Sequence, residues 1–195
     1  MGRVAIIPAR GGSRRVPHKN RKLFHGWPML SYAIETAAWS ELFDMVIVST
    51  DDPEIAAVGY AHGASVWRRR RELCKDDVGT QEVIGHILRS PDLADAVFAC
   101  CIYPCTPLMS AADLQTGFDI LERSGFDYTY SVNADTWEDC GAWYWGKADS
   151  FRHGVPLTKP FAVPVGIDPY RALDINTPED WAEAERRYLK LKEVA

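Results

Sequence analysis

Residues 6–20 read IIPARGGSRRVPHKN. An apolar run breaks at Gly11 and Gly12, and four cations, Arg10 just before them and Arg14, Arg15 and Lys19 after, share a short loop with Ser13 and Asn20. Glycine lets backbone approach a phosphate and take up positive φ, and successive N–H groups in such a loop form an anion-binding nest. Arg10 and Lys19 add the compensating charge, with Arg14 and Arg15 reinforcing the field. A triphosphate is the natural ligand of that combination. No Gly-Lys-Ser/Thr follows the glycines and G-x-G-x-x-G is absent, so this is neither a Walker A loop nor a dinucleotide fingerprint.

The chain around the loop is patterned for a layered α/β fold. Strand-like runs at 4–8, 45–49, 65–67, 97–103 and 128–132 alternate with helical segments, and their continuous apolar character predicts strands covered on both faces. Leu30, Ala33, Ile34, Ala37 and Ala38 share one helical face; Val83, Ile84, Ile87 and Leu88 share another. Ser110 with Asp113, and Thr177 with Asp180 behind Pro178, are helix-start signatures. The last helix is expected to bury Trp181, Ala184, Tyr188 and Leu191. The expected fold is a three-layer α/β/α domain, 1–195, with a mostly parallel Rossmann-like sheet. Ligands of such sheets bind outside the carboxyl ends of the strands. The glycine loop, Ser49 to Asp52 and Tyr103 to Pro107 should all meet there.

With 195 residues and 47% hydrophobic composition, the chain suits one core. A net charge of -5 argues against a general nucleic-acid binder while leaving room for a local basic pocket. No run reaches the ~18 apolar residues of a membrane span, and no leader-like segment opens the chain, so a cytoplasmic location is expected. Cys74, Cys100, Cys101, Cys105 and Cys140 lack zinc-site spacing and are read as free thiols. None of the five histidines has a metal-like or triad-like partner; His18 and His25 flank the loop.

The loop, together with FDMVIVSTDDPEIAAV (43–58), CCIYPCTPLMSAADLQTGFDIL (100–121), DCGAWYWG (139–146) and ALDINTPEDWAEAERRY (172–188), resembles the sugar-activating cytidylyltransferases. That group includes the synthetases of CMP-N-acetylneuraminic acid, CMP-pseudaminic acid and CMP-KDO; the pseudaminic acid branch looks most similar. The resemblance implies a nucleotide-diphospho-sugar transferase type of sheet. It also implies transfer of CMP from CTP to an acidic nine-carbon keto sugar with release of pyrophosphate, assisted by Mg²⁺.

By the same resemblance, Ala9, Arg10, Gly11, Gly12, Ser13, Lys19, Asn20, Arg69 and Thr80 would hold the nucleotide. Arg10 and Lys19 would carry the chemistry, and Ser13 and Asn20 would read the base. Tyr103, Thr106, Asp139, Tyr144 and Arg171, with Lys159, are the acceptor candidates. The family's two metal-binding aspartates correspond to Asp174 and Asn176. A spacing of two places both side chains on one face of an extended segment. An asparagine can offer a carbonyl oxygen but no charge, so weaker or altered metal binding is expected. Asp180 reads as a helix-start carboxylate.

Only residues 134–138 bridge the strand at 128–133 to the segment at 139. Members of the resembled branch carry a few dozen more residues there, which help to form the dimer contact and close over the sugar. The expected partners are therefore CTP and an acidic sugar, with no nucleic acid, no membrane, and homodimerisation by the usual route in doubt. The alternative is a nucleotide-binding relative, non-catalytic or of altered specificity, that has lost its acceptor lid.

Overall fold

In the computed structural model, which describes residues 2–12, 15–75 and 77–194, the chain folds around a seven-stranded sheet. β1 (Arg3–Pro8) leads into the glycine loop and a small antiparallel hairpin, β2 (Leu23–Phe24) with β3 (Trp27–Pro28), before α1 (Met29–Trp39). Then come β4 (Met45–Thr50), α2 (Pro53–Ala61), β5 (Ser65–Arg68) and α3 (Thr80–Leu88). β6 (Phe98–Ile102), α4 (Ala111–Arg123), β7 (Tyr128–Asn133), β8 (Asp139–Lys147), α5 (Ala148–Arg152), β9 (Ala162–Ile167) and α6 (Pro178–Val194) complete the order.

The sheet order is β5-β4-β1-β6-β8-β7-β9. β1 pairs in parallel with β4 and β6, β4 with β5, and β7 with β9; β8 runs antiparallel between β6 and β7. The five expected strands are all present. β8 and β9 were not anticipated: β8 hides in a run of aromatics, and β9 carries Pro164 and Gly166, residues that weaken any strand signal.

Alternate residues of each strand feed opposite faces, which makes the layering explicit. Ala5, Ile7, Cys100 and Ile102 pack with α1 and α4 residues such as Leu30, Ile34, Leu114 and Phe118. Val4, Ile6, Ala99 and Cys101 pack with Val83, Ile84, Ile87 and Leu88 of α3 and with Phe151. Ala38 departs from its expected face and is exposed, because α1 turns it past the edge of the buried stripe. Gly117 lets α4 lie directly on Trp143: a Cβ there would clash with the edge of the indole ring. Both helix-start signatures are realised. Ser110 and Asp113 form a reciprocal capping box. At α6 the Asp180 carboxylate accepts the N–H groups of Asn176 (2.9 Å) and Thr177 (2.8 Å).

Candidate nucleotide site

The glycine loop leaves β1 at the carboxyl end of the sheet and is tied down from several directions. Ala9 N–H donates to Ser49 O (2.9 Å), and Gly11 N–H to the Asp51 carboxylate (2.9 Å). Neither Gly11 nor Gly12 needs a positive φ, contrary to expectation; the loop's strained residue is His18, at φ 56. Gly11 is required for proximity instead. A Cβ there would stand 2.8 Å from Asp52 Oδ2, and the Asp52 carboxylate is committed to capping α2 through Glu54 N (2.7 Å) and Ile55 N (3.2 Å). Gly12 faces open space. Ser13 and Arg14 lie outside the described residues.

Three cavities meet at Tyr103, and two of them adjoin this loop. The largest, about 440 Å³, is lined by Pro8, Arg10, Arg15, Lys19, Asp174 and Asn176 among others. A second, about 220 Å³, lies between Arg10, Arg69, Lys75, Thr80 and Tyr103. A third, about 170 Å³, is walled by Ile84, Cys101, Phe151 and Leu157 and rimmed by Thr80, Gln81, Tyr103 and Tyr144. Tyr103 lines all three. Its hydroxyl lies 3.0 Å from Thr80 Oγ1, and burial pushes its pKa up to about 12. It is therefore a neutral hydrogen-bonding group at physiological pH.

The sequence-based candidates separate into those that face the cavities and those engaged elsewhere. Arg10 lines two cavities, and its Nη1 reaches Cys74 O (3.3 Å). Lys19 donates to the Ile175 carbonyl, which brings the loop against the carboxyl-terminal motif. Asn20 is only 6% exposed: its amide donates to Arg10 O (2.9 Å) and its oxygen accepts from the Cys105 thiol (3.3 Å). That side chain braces the loop and at the same time lines the large cavity. Arg69 is planted beneath the site through Ser49 Oγ (3.2 Å) and Ser49 O (2.9 Å), with burial holding its pKa below the usual arginine value.

On the acceptor side, Tyr144 donates to Asp139 (2.5 Å), and burial followed by that carboxylate raises its pKa. Thr106 is turned inward to Tyr103 O (2.9 Å), being 6% exposed, and lines none of these cavities. Arg171 lies with Asp113 (3.9 Å) and Asp168 (4.0 Å), and Lys159 is exposed outside the cleft. Their own local partners and positions keep these cations away from the site as it stands. Residues 134–138 close β7 onto β8 as a tight turn: Trp137 N–H donates to Asn133 O (2.8 Å), and Asn133 N–H to Glu138 O (2.9 Å).

Asp174 and Asn176 reach the large cavity side by side, with Asn176 Nδ2 donating to Asp174 Oδ2 (2.5 Å). Among the described residues, no three His, Cys, Asp or Glu side chains group to hold a metal ion. Sequence reasoning placed Asp51, Asp52 and Cys105 at the site's edge without seeing that they hold the loop, and it overlooked Gln81. An Asp-Asp-Pro helix start was a legible signal for Asp52; nothing local marks Cys105 as a loop contact.

Fold and site together define an α/β protein whose glycine loop, with its cluster of cations, sits at the carboxyl ends of parallel strands. Residues 4–140 match the cytidylyltransferase family, and the chain belongs to it. The match ends before Asp174. A Campylobacter jejuni pseudaminic acid cytidylyltransferase is 35% identical over 122 residues, covering 61% of this chain and 53% of the relative. A Helicobacter pylori protein described as a pseudaminic acid cytidylyltransferase and UDP-2,4-diacetamido-2,4,6-trideoxy-beta-L-altropyranose hydrolase is 27% identical over 208 aligned positions, covering 90% of this chain and 40% of the relative. The chain thus spans about half or less of the length of these relatives. The second alignment is longer than the 195-residue chain, so that relative carries residues with no counterpart here. Among solved structures, a CMP:2-keto-3-deoxy-manno-octonic acid synthetase complexed with CTP shares the fold at a TM-score of 0.74 and 16% identity, covering 99% of this chain and 100% of that one. No helix among the described residues is long and apolar enough to cross a membrane.

Proposed function

We propose that the chain transfers CMP from CTP to an acidic keto sugar of the pseudaminic or N-acylneuraminic type, releasing pyrophosphate. The observation that supports this reading best is the placement of Arg10, Arg15 and Lys19 on the wall of one 440 Å³ cavity at the strand ends, within the family-matched residues. The sugar's anomeric hydroxyl oxygen forms a bond to the α-phosphorus and its proton passes to water. The bond from the α-phosphorus to the bridging oxygen breaks, and pyrophosphate leaves with the electron pair. Arg10 and Lys19 hold the triphosphate and stabilise the charge that grows on its oxygens. Tyr103, tied to Thr80, and Tyr144, tied to Asp139, border the acceptor side.

The resemblance implies a divalent cation. Asp174 offers a carboxylate and Asn176 a carbonyl oxygen, a set that fits Mg²⁺ once phosphate oxygens and water complete it. When bound, the ion would disperse phosphate charge. The whole assignment predicts calorimetric binding of CTP with magnesium, in preference to UTP and GTP, and pyrophosphate release with an acidic nine-carbon keto sugar. Absence of CTP binding sinks it. Binding without turnover on any acidic keto sugar would turn the reading toward the non-catalytic relative, which no observation here favours.

A further inference from the structure

Asn20 lines the large cavity, and its amide is gripped at both ends. Nδ2 donates to Arg10 O at 2.9 Å, and Oδ1 accepts from the Cys105 thiol at 3.3 Å. These two partners are of opposite character, a carbonyl that only accepts and a thiol that donates, so both impose the same orientation on the amide. Cys105 arrives from the loop after β6, 85 residues away in sequence. It is 6% exposed and packs among Val16, Phe24, Met29, Ile175 and Trp181, where little water competes for the Asn20 oxygen. That burial, only partly offset by Lys19, pushes the thiol up to about 12, so it keeps its proton at physiological pH.

The orientation decides what Asn20 can offer a ligand. An amide nitrogen carries two hydrogens, and one is left after the bond to Arg10 O. A triphosphate presents acceptor oxygens: it repels a carbonyl oxygen turned toward it and binds an N–H. Resting on the nucleotide reading above, we propose that Cys105 is a positioning residue. Its thiol holds the Asn20 oxygen beneath the cavity, so that Asn20 shows an incoming nucleotide an N–H beside Arg15 and Lys19.

Calorimetry with CTP in excess magnesium tests this on the full chain. Cys105→Ala and Cys105→Val both remove the donor, and each should weaken CTP binding about threefold to tenfold, the worth of one hydrogen bond. Valine keeps the apolar packing and alanine does not. Cys105→Ser, whose hydroxyl donates from the same place, should recover most of the loss. Because Cys105 touches no reacting atom, KM for CTP should rise by the same factor while kcat at saturating CTP holds. Placed on an Asn20→Ala background, Cys105→Ala should add no further loss. A Cys105→Val variant that binds as wild type makes Cys105 a packing residue and overturns the proposal, as do losses that simply add in the double variant. Should Cys105→Ala not fold, by its circular dichroism melt, valine against serine decides. The two readings fail separately: a wild-type protein that gives no heat with CTP sinks the proposed function, whereas wild-type association left unchanged by Cys105→Val sinks only this inference.

Discussion

The two sides of the cleft are built by different means. On the nucleotide side, contacts join segments remote in sequence: Cys105 to Asn20, Gly11 to Asp51, Arg69 to Ser49, and Lys19 across the chain to Ile175. On the acceptor side, Tyr103 reaches Thr80 across the chain, but the contacts that hold Tyr144 are local. Asp139 and Tyr144 belong to one strand, and a five-residue turn closes that strand onto its neighbour. A site held by many distant elements is preorganised, because no single segment can relax without breaking bonds to others. A site held by one hairpin can be reshaped by one insertion or deletion. That contrast explains how a chain can keep the glycine loop intact while lacking segments that a longer relative carries.

The sharpest way to break the comparison is to remove charge from the preorganised side. Arg10→Ala and Lys19→Ala should each lower turnover by about 10²–10³, the range found when a preorganised donor is removed from developing charge. Melting temperatures should fall only modestly, by the loss of the contacts to the Cys74 and Ile175 carbonyls, so that the drop in turnover far exceeds any loss of stability. Near-normal turnover in either variant, measured by pyrophosphate release, would mean that the loop is not where the chemistry is held.

The paired glycines sharpen it further. Gly11→Ala should cost about 1–3 kcal/mol, because the new methyl meets an Asp52 carboxylate that cannot move without uncapping α2. CTP affinity should fall with it. Gly12→Ala should behave as wild type in both measurements, having open space and no positive φ. Equal effects at the two positions would show that flexibility rather than close packing is what this loop needs.

Much of this architecture was legible from local pattern. The buried strands β1, β4 and β6 are continuous apolar runs, and both capping boxes follow from four-residue signatures. The antiparallel β8 was not, because Trp143, Tyr144 and Trp145 carry no clean alternation. Trp143 and Trp145 are fully buried on one side while Tyr144 is held at the cleft by Asp139. Within the site, residue types in the loop pointed to phosphate, but which side chains face the cavity depends on long-range partners. Asn20 lines the cavity while held by Arg10 and Cys105, whereas Arg171 is drawn off by Asp113 and Asp168. No local signal encodes those choices.

Tyr103 sits on the seam between the two sides, so its hydroxyl tests whether they are coupled. Tyr103→Phe keeps the ring that lines all three cavities and removes the bond to Thr80, a loss of about 0.5–1.5 kcal/mol. The expected result is a severalfold lower kcat/KM for the sugar with CTP affinity little changed. An equal loss in both would place Tyr103 on the nucleotide side alone.

The smallest effect concerns Asp180, which anchors the carboxyl-terminal motif against the loop through the start of α6. Burial works against its charged form but is outweighed by the N–H groups of Asn176 and Thr177, the Thr177 hydroxyl and nearby Lys19, so its pKa lies below the ordinary aspartate value. A carboxylate depressed in the folded state binds protons more readily when unfolded. Its stabilisation is therefore complete above the unfolded value and lost as pH falls through the folded one. Asp180→Asn should lower stability at neutral pH by about 0.3–1 kcal/mol, the usual worth of a charge at a helix start. The difference between variant and wild type should shrink as pH drops below about 4. Denaturant melts at pH 7 and pH 3 measure it. A gap that stays constant between those two values would mean that the Asp180 oxygens stabilise α6 as neutral acceptors and that its charge adds nothing.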